Sequence, residues 1–153
     1  NLEGNELGAA FGLVQLKSLQ RNIETRQANF NKQKKFFNKY PDIFSNPEET
    51  KNISTGWLAF PILLKKTCSF SRKEFQIFLE KRNIQTRVVF TGNILRQPMM
   101  KNLKFKVNNY GYPNADAVME RGVLLPLHHG MTNSMFERLH QTIDEFINLK
   151  SKK

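Results

Sequence analysis

Apolar side chains recur at helical spacing over the first 40 residues of the chain. The spacing predicts one long helix or two in succession from Asn5, a plausible cap, to about Tyr40. Pro41 follows directly and ends the helical pattern. The apolar residues of this series are Leu7, Ala10, Phe11, Val14, Leu16, Leu19, Ile23, Phe30 and Phe37.

The end of the chain repeats the helical pattern, from about Asn133 to Leu149. Ser134 and Glu137 have the spacing of a capping box at its start. The apolar stripe of this segment consists of Phe136, Leu139, Ile143, Phe146 and Ile147.

Between these helices the pattern predicts three strands separated by two helices. The helix Ser71 to Arg82 has a capping box of Ser71 and Glu74, and a short helix covers Asn114 to Arg121. Residues 42–56 and 91–109 are predicted loops, because they are rich in Pro, Gly and polar residues. The predicted strands are Trp57 to Leu64, Ile84 to Phe90 and Val123 to Leu127.

This order of elements predicts an α+β fold with a three-stranded sheet packed against helices. The order leaves parallel and antiparallel pairing equally open. The length of 153 residues allows one domain of ordinary size.

The formal net charge of +11 favours nucleic acid, anionic membranes or phosphorylated ligands as partners. The lysines are scattered, which is more typical of a solvated surface than of a binding tail. A basic nucleic-acid-binding α+β module is the alternative function. It rests on charge alone, because the Phe residues fall mostly on helical core stripes and not on a base-stacking sheet face.

The single cysteine, Cys68, allows no intramolecular disulfide, which indicates a reducing compartment. No apolar run approaches the roughly 20 residues of a membrane span. The expectation is a cytoplasmic protein with no membrane partner. The histidines and the cysteine lack metal-ligand spacing, so no metal site is predicted.

Two stretches carry candidate chemistry. Thr86 to Pro98 places Arg87, Asn93 and Arg96 at a strand end and in the loop after it, and guanidinium groups bind phosphate through paired hydrogen bonds. A solvated surface loop is an equally good interpretation of this stretch. Residues 124–132 place His128 and His129 in a Gly-containing turn just before a helix, and such a turn can present hydrogen-bond donors to an anion. A plain strand-to-helix connection is the slightly favoured interpretation of this stretch.

Three segments together resemble one family. The opening, from Asn1 to Leu16, resembles the Asn-x-x-x-x-(Asp/Glu)-x-x-Ala-Ala-x-Gly-x-x-Gln-Leu segment of the DegT/DnrJ/EryC1/StrS sugar aminotransferases and dehydrases. Residues 86–98 resemble the Thr-Arg-x-x-Phe-x-Gly-Asn-x-x-Arg-Gln-Pro signature of the nucleotide-hexulose 3-dehydrase branch. Residues 114–132 are similar to the closing segment of the family, although many relatives differ from Leu-Pro-Leu-His-His around the histidine.

The resemblance implies a fold of the aspartate aminotransferase type, that is, fold type I of the pyridoxal phosphate (PLP) enzymes. Residues 1–40 would be link helices from a large domain, and residues 41–153 the small C-terminal domain. The chain begins at Asn1 without a methionine, so a fragment, a processed product or a trimmed chain is expected. The large domain would carry the lysine or histidine that acts at the cofactor, so no catalytic residue is expected in this chain and the chain alone should be inactive.

The same resemblance implies PLP or pyridoxamine 5'-phosphate (PMP) as cofactor, bound mainly by the large domain. It also implies a homodimer, in which Asn1 reaches the cofactor phosphate of the partner subunit. Arg87, Asn93 and Arg96 would line the sugar or nucleotide side of the pocket, with His128 and His129 near it. The substrate would be a nucleotide-diphosphate keto-sugar used in polysaccharide or deoxysugar biosynthesis, such as that of lipopolysaccharide. Transamination and 3-dehydration both remain open.

The opening helix has apolar residues on more than one face. Without a large domain these faces would be exposed, so a third hypothesis is a non-catalytic fragment stabilised by self-association. It predicts that the isolated chain dimerises or aggregates.

Overall fold

A computed structural model describes residues 4–151 of the chain. It contains four α-helices, namely α1 (Glu6–Phe37), α2 (Arg72–Glu80), α3 (Pro113–Arg121) and α4 (Asn133–Ser151). It also contains four strands, namely β1 (Phe44–Ser45), β2 (Ala59–Leu64), β3 (Arg87–Val88) and β4 (Gly122–Pro126). Two short 3-10 helices, Ile94–Arg96 and Pro98–Met100, interrupt the long loop after β3.

The four strands form one antiparallel sheet in the order β1-β2-β4-β3. β2 and β4 are the central pair, with Ala59 opposite Pro126 and Leu63 opposite Gly122. On β2 the side chains alternate between buried and partly buried, as a sheet with one face on the core requires. Pro61 is tolerated in β2, although it lacks an N–H group for the ladder.

The structure corrects two predicted features of the sheet and decides between the two alternatives for the first helix. The sheet has four strands and not three, because β1 forms within the predicted loop 42–56 and pairs with the end of β2. The predicted strand Ile84 to Phe90 is reduced to Arg87 and Val88. Before them the N–H groups of Ile84 and Thr86 bind α2, and after them the main chain turns, with Phe90 at φ 48°. α1 is a single continuous helix, which resolves the alternative of one or two helices.

Helix caps follow local sequence in α1 and α2. Asn5 caps α1 by accepting from the Gly8 N–H at 2.6 Å. The capping box of Ser71 and Glu74 at α2 is present in both directions, as predicted. The predicted capping box of α4 is wrong, because the Thr132 hydroxyl accepts from the Met135 N–H at 3.3 Å and takes that place.

The core lies between the sheet and the helices, and phenylalanine is its most frequent residue. Nine of the thirteen phenylalanines are buried, so these rings are not available for stacking on bases. Phe30 stacks on Trp57 with ring centroids 4.3 Å apart, and Phe70 meets Phe146 edge to face at 4.7 Å. Burial of these rings supplies a large part of the apolar driving force of the domain.

α1 has two different halves. Its second half enters the core through Phe30, Phe36 and Phe37, whereas its first half exposes its apolar side chains. The division of the chain at 40/41 stays a prediction. The exposed residues of the first half are Leu7, Phe11, Leu13, Val14, Leu16 and Leu19, which are 48–85% accessible.

Candidate functional site

The antiparallel pairing of β3 with β4 brings two of the predicted site residues together. Arg87 lies opposite Leu124 in the ladder, and the chain reaches His128 two residues beyond the end of β4. Both residues, together with Gln85 and Leu58, line one open cavity of about 390 Å³ at this edge of the sheet. A guanidinium, an imidazole and an amide therefore border the same space.

A hydrogen-bond network on the preceding residue holds Arg87 in place. The Thr86 N–H and hydroxyl both donate to Glu80 Oε1, at 2.5 and 2.9 Å, and Gln76 Nε2 donates to the Thr86 hydroxyl at 3.1 Å. α2 thereby anchors the start of a strand that has only two residues. The Arg87 side chain itself is exposed, so its donors are accessible to a ligand.

His128 and His129 each have one ring nitrogen that faces a hydrogen-bond donor. His128 Nδ1 accepts from the Gly130 N–H at 3.1 Å. His129 Nδ1 lies 3.4 Å from Arg26 Nη2, and a guanidinium only donates. In the neutral form each imidazole therefore carries its proton on Nε2, which gives the exposed turn two N–H donors.

Asn93 and Arg96 form a second group, centred on Asp116 of α3. Arg96 binds this carboxylate through two bonds, Nε to Oδ1 at 3.0 Å and Nη2 to Oδ2 at 2.9 Å. Asn93 Nδ2 donates to Asp116 Oδ1 at 2.8 Å, while Asn93 Oδ1 accepts from the Leu95 N–H at 3.0 Å. The hydrogen bonds from Arg96, and then that from Asn93, lower the pKa of Asp116 to about 2.

This network gives Asn93 a structural part, because Asn93 is buried and both ends of its amide have partners. Arg96 is more accessible and lines a second cavity of about 390 Å³. Phe105, Tyr110 and Tyr112 also line that cavity. A substrate contact from Asn93 or Arg96 stays a prediction, and Asn1 lies outside the described residues.

Residues of α1 also contact the histidine turn, and the sequence interpretation passed over them. Asn29 Nδ2 donates to the His128 carbonyl oxygen at 2.8 Å, and Gln33 Nε2 donates to the Pro126 carbonyl oxygen at 3.2 Å. One signal could have revealed Gln33, since this amide lies on the apolar stripe between Phe30 and Phe37, where a polar residue needs a partner.

His140 of α4 completes the arrangement around Gln33. Its Nε2 lies 2.9 Å from Gln33 Oε1, and its ring stacks on Phe36 with centroids 3.9 Å apart. Burial lowers the pKa of His140 to about 4, so the ring is neutral near pH 7.

Within residues 4–151, no three or more His, Cys, Asp or Glu side chains come together as ligands for a metal ion. None of the helices in that range combines the length and the apolar character that crossing a membrane requires.

Two curated relatives cover nearly the whole chain. It is 32% identical over 149 residues to the lipopolysaccharide biosynthesis protein RfbH of Salmonella typhimurium, with 97% of this chain and 34% of that protein covered. It is 29% identical to a dTDP-4-dehydro-2,6-dideoxy-D-glucose 3-dehydratase of Saccharopolyspora spinosa, with 96% of this chain and 31% of that protein covered. The chain thus spans about a third of the length of the curated relatives it matches.

A crystal structure of GDP-4-keto-6-deoxymannose-3-dehydratase with a trapped PLP-glutamate geminal diamine matches the fold with a TM-score of 0.80 at 26% identity. The match covers 90% of this chain and 35% of that one, which confirms the predicted fold type I architecture. The family model of the DegT/DnrJ/EryC1/StrS aminotransferases matches residues 1–144. The predicted resemblance is confirmed, and the chain belongs to the DegT/DnrJ/EryC1/StrS aminotransferase family.

Proposed function

We propose that this chain is the C-terminal part of a PLP- or PMP-dependent enzyme that aminates or dehydrates a nucleotide-linked sugar in polysaccharide or deoxysugar biosynthesis. The observation that carries the proposal is the shared cavity of Arg87 and His128, in a family whose curated relatives include a nucleotide-sugar 3-dehydratase and a lipopolysaccharide biosynthesis protein. In this proposal the chain contributes to substrate binding.

The chemistry of the cavity suits a diphosphate ester. The guanidinium of Arg87 can donate two parallel hydrogen bonds to phosphate oxygens, and these charge-assisted bonds are stronger than neutral ones. The Nε2–H of His128 and the amide of Gln85 add donors for sugar hydroxyl or phosphate oxygens. The net charge of +11 raises the local concentration of such an anionic substrate.

The cofactor would act as the electron sink of the reaction when bound. Asn1 is the cofactor contact that the family resemblance assigns to this chain, so the proposal includes Asn1 as a ligand of the cofactor phosphate in the partner subunit. Among residues 4–151 we assign no cofactor contact. The donors at the Arg87 cavity fit a phosphorylated ligand in general and are assigned to the substrate.

A homodimer in the cytoplasm, and the absence of activity from this chain alone, belong to the same proposal. The exposed apolar half of α1 supports association with further protein, because isolated surfaces of this kind are rare on monomers. The single Cys68 supports a reducing compartment.

The first test is kinetic and uses the complete enzyme that contains this chain. Arg87→Ala should raise the KM for the nucleotide sugar by about 10- to 100-fold, the loss expected for a charge-assisted bond to phosphate. Lys81→Ala, which removes one positive charge from an exposed position at the C-terminal cap of α2, is the matched control and should leave KM unchanged. An unchanged KM in Arg87→Ala would contradict the assignment of the cavity.

A second test separates the two reaction types. An absorbance band of bound cofactor that borohydride removes would indicate a lysine at the cofactor and hence an aminotransferase. A cofactor band that borohydride leaves intact would indicate the PMP form and a 3-dehydratase. The absence of any cofactor band after addition of PLP would refute the proposed cofactor dependence.

A further inference from the structure

The chain leaves the β2–β4 ladder after Pro126, the last residue of β4, and its main-chain groups there need other hydrogen-bond partners. Pro126 still pairs with Ala59, but residues 127–130 run beyond the β2–β4 ladder. Main-chain carbonyl groups at such a point require other donors or water. α1 provides side-chain amides for two carbonyl groups at this point, those of Pro126 and His128.

The spacing of these amides matches that of the carbonyls. Asn29 and Gln33 are four residues apart on one helix, a rise of about 6 Å. The carbonyl groups of Pro126 and His128 are two residues apart in an extended chain and point to the same side, about 6.6 Å from each other. Asn29 binds the His128 carbonyl oxygen at 2.8 Å, and Gln33 binds the Pro126 carbonyl oxygen at 3.2 Å. We call this pair of contacts the amide clamp.

The orientation of the Gln33 amide is set from its other end. Gln33 is fully buried, and its Oε1 accepts from His140 Nε2 at 2.9 Å. His140 is in turn held by its stack on Phe36. The Gln33 amide therefore has a partner at each end and cannot turn without losing both hydrogen bonds.

The amide clamp contacts the main chain of His128, the residue that borders the candidate site. Asn29 holds the main chain of His128, and His128 lines the cavity shared with Arg87. Leu127, between the two clamped carbonyls, is 1% exposed and anchors the same segment in the core. The segment is thus fixed on both sides, by apolar burial and by the two amides.

We propose that Asn29 and Gln33 are positioning residues that place His128 for binding of the substrate. The inference rests on the proposed function, because it needs His128 to contact the nucleotide sugar. It predicts that the effect of Asn29 on KM passes through the His128 side chain. A contribution of Asn29 to general stability would be independent of that side chain.

The test is a double-mutant cycle in the complete enzyme, with KM and kcat for the nucleotide sugar as readouts. Asn29→Ala should raise KM about fivefold, the value of one typical hydrogen bond, with little change in kcat. In the His128→Ala background the same change should have almost no effect on KM. Asn31→Ala, an exposed amide on the same helix, is the control and should leave KM unchanged in both backgrounds.

Three outcomes would overturn the inference, and they are distinguishable. If His128→Ala alone leaves KM unchanged, the proposed role of His128 fails and the inference fails with it. If His128→Ala raises KM but Asn29→Ala does not, the clamp is not required for binding. If the effects of both substitutions multiply in the double variant, Asn29 acts independently of His128.

Gln33→Leu provides a second variant, with thermal unfolding recorded alongside the kinetics. A folded Gln33→Leu enzyme should show the same raised KM as Asn29→Ala, and an unchanged KM would count against the clamp. If Gln33→Leu fails to fold, the cycle on Asn29 decides the question alone.

Discussion

His140 makes the stability of the chain sensitive to mild acid. Its ring is stacked on Phe36 and donates to Gln33, and burial lowers its pKa from 6.5 to about 4. Asp144 opposes this change, while Lys39 and Lys32 add to it. Between these two pKa values the unfolded chain binds a proton at His140 that the folded chain does not, so the free energy of unfolding must fall as the pH falls through this window.

The size of the effect follows from the two pKa values. The difference between 6.5 and about 4 corresponds to an upper limit of about 3 kcal/mol, since one pKa unit is worth about 1.4 kcal/mol. The ring is only partly buried, and solvent screening reduces this value. We therefore expect a loss of about 1–2 kcal/mol between about pH 7.5 and about pH 4.5.

The assay combines a titration with equilibrium unfolding of the 153-residue chain. The histidine ring resonances report the folded pKa of His140 directly by NMR. Urea unfolding at several pH values reports the free energy of unfolding. His140→Gln removes the titrating group, so its free energy of unfolding should depend less on pH than that of the original chain. His128 and His129 are present in both proteins, and their contribution cancels in the difference.

Two results would refute this reasoning. A folded pKa of His140 near 6.5 would show that the ring is not desolvated. A constant stability difference between the chain and His140→Gln from about pH 7.5 to about pH 4.5 would show that His140 does not link protonation to folding.

Three further predictions concern stability and can be checked by urea or thermal unfolding. Gly92→Ala should lower the free energy of unfolding by at least about 2 kcal/mol, because φ is +66° and a Cβ would lie 2.5 Å from the backbone of α3. Gly12→Ala is the control, and it should be neutral or stabilising because Gly12 has open space around it on α1. Equal effects of the two substitutions would contradict the close packing at Gly92. Tyr40→Phe should cost about 1–2 kcal/mol, because it removes a hydrogen bond of 2.5 Å to a carboxylate on α4, and no loss would show that this bond is unimportant. The hydrogen bond from Arg96 lowers the pKa of Asp116 to about 2, so the contribution of Asp116 to stability is present above about pH 4 and is lost as the pH falls towards 2. Asp116→Ala should lose this part of the acid dependence of stability. An acid transition that is the same in both proteins would disprove the link.

The helices could be predicted closely from the sequence. The start of α2 follows from Ser71 and Glu74, which satisfy each other's main-chain groups within three residues. The start of α1 at Asn5 and the position of β4 follow from equally short-range signals. These features depend on neighbours along the chain, and such interactions are legible from spacing alone.

The candidate site was predictable only in part. The family resemblance pointed to Arg87 and His128, and the structure brings both to one cavity. It separates Asn93 and Arg96 from them and ties both to Asp116, about 20 residues further along the chain. A carboxylate partner at that distance leaves no periodic signal in the sequence.

Local signals in the sequence were enough to predict the helices, the caps of α1 and α2, the α+β class and the family. The antiparallel order β1-β2-β4-β3, the two-residue strands β1 and β3, and the contacts of Asn29 and Gln33 with the histidine turn became known only from the folded chain. The two groups of features differ in the range of the interactions that produce them. Helical periodicity and capping act within four residues, whereas strand pairing and the amide clamp join groups that lie far apart in the chain and meet only when the phenylalanine core has formed.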